Sequence, residues 1–122
     1  MAMGSLFMSS DDYMQSVTIG HFVHALKAMS SEKKQALTSR LVEKWSLTQA
    51  QQDKLKLLEI PQDDLLLIHS MLKLCYPYDS ELQLNWIKAP NREFKGRTAI
   101  DIIMLEGVDG VKQIISYLSR AM

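Results

Sequence analysis

The chain contains a single cysteine, Cys75, among its 122 residues. No intramolecular disulfide can form, a cysteine-rich zinc site is excluded, and Cys75 itself reads as a buried thiol on a helix. There is no excess of charge: 14 basic residues balance 14 acidic ones, and the basic ones are spread evenly along the chain. Nucleic-acid binding normally needs a concentrated positive surface, and the composition guarantees none. No apolar run approaches the ~18 residues that span a bilayer. No basic segment followed by an apolar stretch opens the chain, so a cytoplasmic protein is expected. The five glycines are too few and too scattered for a phosphate-binding loop. No nucleophile motif surrounds any serine or cysteine, and the carboxylates show no acid–base pairing. The expectation is a protein that is not an enzyme and uses no cofactor.

What is present is helical. Hydrophobic residues make up 47% and charged residues 23% of the chain, an ordinary globular balance that leaves room for one domain. Ile19, Phe22, Val23, Leu26 and Met29 recur at helical spacing. Ser16 or Thr18 can cap that helix, and Ser30-Ser31 breaks it and starts the next. Leu37, Leu41, Val42 and Trp45 form a second stripe. Thr48 and Gln51 have the spacing of a capping box for a third helix carrying Leu55 and Leu58. Pro61 suits a first helical turn, and Asp63 and Asp64 favour the positive end of its dipole. Leu65, Ile68, Leu72 and Cys75, with Leu66 and Met71 beside them, predict a central buried helix that ends at Tyr76-Pro77.

Asp79 or Ser80 caps a short helix with Leu82 and Trp86. Lys88 to Arg97 reads as an ordered loop. Thr98 caps a helix carrying Ile100, Ile103 and Met104, which Gly107 stops, and Asp109 is expected to cap the last one, Gly110 to Arg120. The fold class is therefore all-α: a compact orthogonal bundle of about seven short helices, with no competing strand pattern. Residues 1–15 read as a flexible N-terminus whose opening Met1-Ala2-Met3-Gly4-Ser5 looks partly like a cloning remnant. Residues 16–61 form the N-terminal helices, and 62–122 a helical domain packed with them as one unit.

Two constellations have competing readings. His21 and His24, three apart on one helix, could share a metal with His69; the plain alternative is two partly exposed histidines, and no metal is expected. Lys88, Arg92, Lys95 and Arg97 form the densest basic cluster, either a solvated loop or a surface for phosphate or an acidic partner.

From about Gln62 onward the chain resembles the toxin-binding domain of Xre/MbcA/ParS-type antitoxins of bacteria. The resemblance is carried by the leucine-rich Leu65–Leu74 and by an ordered run: Trp86-Ile87, Pro90-Asn91, Phe94, Gly96-Arg97-Thr98, Ile100-Asp101. Gly107, Val111, Ile115 and Leu118 are similar to the family's final helix. In physical terms the run is a structural staple. Trp86 is an anchor, Pro90-Asn91 a turn, Gly96 a backbone position closed to side chains, and Thr98 with Asp101 a capping pair.

Upstream, Trp45-Ser46-Leu47-Thr48 through Leu57-Leu58 resembles the start of the family's helix-turn-helix. Glu59 stands where glycine is expected, and Ile60-Pro61 leads at once into the central helix. The stretch that should supply a recognition helix is missing, which puts sequence-specific DNA binding in doubt. The resemblance implies an antitoxin that sterically neutralises a RES-domain toxin of the NAD-consuming type, with a homo-oligomer also compatible. The alternatives are a DNA-binding regulator and an orphan helical interaction or dimerisation module. The expected partner-facing residues are Lys112, Tyr117 and Arg120 on the last helix, with Arg92, Lys95 and Arg97 on the loop.

Overall fold

The computed structural model describes residues 20–121. The expected N-terminal tail and the caps Ser16 and Thr18 lie outside the described residues. The chain folds as α1 (20–28), α2 (Ser31–Lys44), α3 (Gln49–Leu57), α4 (Gln62–Cys75), α5 (Ser80–Asn85), two 3-10 turns (Trp86–Lys88 and Arg92–Phe94), α6 (Ala99–Glu106) and α7 (Val108–Ala121). The all-α expectation holds; among the described residues the only β feature is an isolated bridge between Pro90 and Thr98.

Local chemistry sets most helix starts. Ser30 accepts from the Lys33 amide at the head of α2. Thr48 and Gln51 close the expected capping box on α3, at 3.1 and 2.9 Å. Asp79 accepts from the Leu82 amide to start α5. Thr98 and Asp101 close a second box on α6. Each satisfies amides that would otherwise lack an intrahelical partner.

Helix ends were harder to anticipate. Both α2 and α3 finish in a Schellman turn. In the second, the Ile60 amide bonds the Leu55 carbonyl and the Glu59 amide that of Lys56. Glu59 takes φ 54° there, the left-handed conformation that glycine adopts without steric cost. The position that departs from the family resemblance thus keeps the backbone shape the resemblance calls for. Only Leu58–Pro61 separates α3 from α4, so no recognition helix intervenes.

Pro61 proves to be the N-cap of α4 and not part of its first turn, with φ −61° and ψ 133°. A proline ring tolerates both places because neither needs its amide. A larger correction concerns α7. It begins at Val108, with Gly107 as the single residue between α6 and α7. Gly107, at φ 62°, donates to Ile103 and accepts from Val111, so one glycine ends one helix and begins the next. Asp109 falls inside the first turn of α7 and caps nothing; it still favours the positive end of the dipole.

The core sits around α4, which packs against α2 on one side and α7 on another, while α6 packs on α7 and on the Trp86–Lys88 turn. Ile68, Leu72, Ile87, Ile103, Val111 and Ile114 are fully enclosed. Cys75 is only half-buried, and burial pushes its thiol up, away from the reactive thiolate.

His69 lies on α4 with its Nδ1 buried and unbonded among the described residues. Burial first, then Lys73 and Lys44, hold its imidazole below the ordinary 6.5. The unfolded chain therefore binds a proton in a range where the folded chain does not. This contribution to stability is full above pH 6.5 and is lost as pH falls through the lower folded value. Urea unfolding should show the wild type losing more stability than His69→Gln between about pH 7 and about pH 5. Equal losses would contradict the assignment.

Candidate partner-binding site

The Trp86–Lys88 turn, the loop that follows and α7 meet in an aromatic cluster. Trp86 is stacked on Tyr117 with ring centroids 6.0 Å apart and meets Phe94 edge-on at 6.2 Å. Phe94 and Tyr117 close the triangle at 5.2 Å. Such pairs add about 0.5–1.5 kcal/mol each beyond burial. Trp86 and Phe94 are buried, whereas Tyr117 is half-exposed. Burial, with Cys75 and Tyr117 nearby, raises the Tyr76 hydroxyl, and a hydrogen bond from Trp86 partly offsets that rise.

Asn91 holds the loop in shape. Its side chain accepts from the Glu93 amide at 2.8 Å, and its carbonyl accepts from Phe94 and Gly96. Its own amide bonds the Arg97 carbonyl at 3.1 Å. Lys95 and Gly96 both take positive φ, 58° and 83°, so the chain reverses and delivers Phe94 inward. Phe94 thus meets Trp86, while Asn91 bonds Phe94 and Gly96, Pro90 bridges Thr98, and Thr98 caps with Asp101.

Outside the cluster lies an open cleft of about 410 Å³. Helix α7 supplies Asp109, Lys112, Gln113, Ser116, Tyr117 and Arg120, one face at helical spacing; the loop supplies Glu93 and Phe94. The charges are mixed, two acidic and two basic, and none of the four forms an ion pair with a described residue. Arg120 donates to the Ser116 hydroxyl at 3.0 Å. Lys112 also acts on Asp64 of α4: burial and Asp63 raise that carboxyl, and Lys112 lowers it in part.

Of the residues expected to face a partner, Lys112, Tyr117 and Arg120 come together in this cleft. Arg92, Lys95 and Arg97 do not line it. They are exposed, and Arg97 is committed to Glu106 at 3.9 Å and to the Phe94 carbonyl. Tyr117 is not the free surface residue that the helical stripe suggests, because it lies over Trp86 and Phe94. Sequence reasoning missed Glu93 and Asp109, though the spacing from 109 to 120 contained the signal for the second. His21 and His24 are exposed on α1, away from half-buried His69 on α4, and no three metal-ligating side chains converge among the described residues.

The aromatic cluster of Trp86, Phe94 and Tyr117 thus lies beside a cleft of mixed charge on α7. Residues 78–121 match the family model of the antitoxin Xre/MbcA/ParS C-terminal toxin-binding domain. The matched segment runs from just before α5 through α7 and contains the whole staple and every residue of the cleft. This part of the chain is similar to that toxin-binding domain. No curated protein and no solved structure matches the chain. Among the described residues, no helix is long and apolar enough to cross a membrane.

Proposed function

We propose that the chain is an antitoxin that sterically neutralises a RES-domain toxin of the NAD-consuming type, acting in the cytoplasm and performing no chemistry itself. The observation that carries this reading is the family match over the very segment that builds the cleft. The last turn of α7 with Arg120, and the cleft beside it, cover or enter the toxin's active-site opening. Tyr and Arg are the residue types that most often supply binding hot spots. With no helix between α3 and α4, DNA binding is reduced to weak, salt-sensitive phosphate contact.

The test is co-purification from the native host, followed by affinity measurement on Lys112→Glu with Arg120→Glu. Both side chains are exposed, so folding should be retained. Tyr117 is left in place because it supports Trp86. The complex should weaken by at least ~2 kcal/mol, and the co-purifying partner should consume NAD more slowly when the wild-type chain is added. Unchanged affinity with the fold intact would move the interface to the Arg92–Arg97 loop. A partner without NAD-consuming activity would overturn the toxin class.

A further inference from the structure

The cleft on α7 leaves a second concavity unassigned, a groove of about 230 Å³ where α1, α2 and α4 meet. Its floor is apolar: Leu26, Leu41 and Leu66 are buried, and Phe22, Met29 and Leu37 are half-buried against them. Its rim is cationic. Arg40 and Lys44 stand one helical turn apart on α2, and His69 and Lys73 one turn apart on α4. Among the described residues no carboxylate lines it, although acidic and basic residues are equal in number over the whole chain.

Neither Arg40, Lys44 nor Lys73 forms an ion pair with a described residue; the two pairs found are Lys34–Asp63 and Arg97–Glu106. Lys44 and Lys73 come close enough to act together on His69. Like charges gathered across a narrow apolar trough destabilise the free protein. A partner bringing carboxylates would relieve that repulsion while covering the apolar floor.

We propose that the groove between α1, α2 and α4 is a docking site for an acidic amphipathic segment of a partner protein. Its apolar side chains sit on Phe22, Met29 and Leu37, and its carboxylates meet Arg40, Lys44 and Lys73. This is helix-in-groove recognition given direction by charge. A nucleic-acid backbone suits the groove less well, because phosphates seek cations and amides along their whole path, and here the floor offers hydrocarbon. The surface is separate from the α7 cleft and does not depend on how that cleft is used.

The test uses the full chain and three fluorescein-labelled probes: a synthetic peptide with leucines at helical spacing and glutamates elsewhere, the same peptide with lysines for glutamates, and a short duplex DNA. The glutamate peptide should bind saturably. Arg40→Glu with Lys44→Glu and Lys73→Glu should weaken it about tenfold or more, with an unchanged far-UV circular dichroism spectrum. If that triple variant fails to fold, Lys44→Gln with Lys73→Gln should show a smaller loss in the same direction. The lysine peptide should not bind, and Lys112→Glu with Arg120→Glu should leave glutamate-peptide affinity unchanged.

Equal binding of the two peptides, or insensitivity to the rim substitutions, would overturn the proposal. So would DNA binding tighter than the glutamate peptide and lost in the same variants, which would make the groove a phosphate site. Asp11→Lys with Asp12→Lys should leave affinity unchanged; a tenfold rise would assign the groove to the chain's own N-terminal segment and overturn it as well.

Discussion

Trp86→Ala is expected to cost ~3–5 kcal/mol of folding stability, the range for truncating a buried tryptophan. The indole is 7% exposed. It is the common neighbour of Phe94 and Tyr117, so its loss removes two aromatic contacts as well as its own burial. It also leaves a cavity that the short Trp86–Lys88 turn cannot close by itself. A domain of this size has only about 5–15 kcal/mol in total, so the variant should unfold at much lower urea concentration. A measured loss below about 1 kcal/mol would show that Trp86 is not the anchor of the staple.

The second large effect is expected at Gly110. It lies in the first turns of α7, buried against α6. A Cβ built there would stand 2.5 Å from the Ile102 carbonyl oxygen and 3.0 Å from its carbon. Those are backbone atoms and cannot swing aside, so any side chain must push α7 off α6. Gly110→Val should cost about 1–3 kcal/mol, as overpacking does, despite the gain in helix propensity over glycine. The displacement would also move Lys112, Tyr117 and Arg120, so affinity for the partner should fall with stability. A Gly110→Val protein as stable as the wild type in urea would mean that α6 and α7 do not approach so closely.

These two residues mark what the chain discloses from its sequence alone and what it does not. Trp86 was legible because the run through Pro90-Asn91, Gly96 and Thr98-Asp101 is local chemistry. A cap or an Asx turn joins residues two or three apart, so sequence spacing is enough to see it. The same holds for Ser30, Thr48 and Asp79.

Gly110 was not legible, because its importance lies in α6, across a helix–helix contact that no local pattern encodes. The junction at Gly107 misled for the same reason: a glycine serving two helices left Asp109 nothing to cap. Tyr117 fell off the apolar stripe of Val111, Ile114 and Leu118 by helical period. Its ring is nonetheless long enough to reach sideways over Trp86 and Phe94, and that depends on a loop brought in from outside α7. The cleft was half visible, its α7 wall through helical spacing but its loop wall only once Lys95 and Gly96 had turned Phe94 inward.

In the proposed complex the partner meets this chain at α7 and the Asn91–Lys95 turn. Amide hydrogen exchange, on the chain alone and in its co-purified complex, tests it most directly. Protection gained on binding should be concentrated in residues 108–121 and 91–95, with α2 and α3 unchanged. Protection confined to α1–α3, with α7 exchanging as fast in the complex as in the free chain, would contradict it.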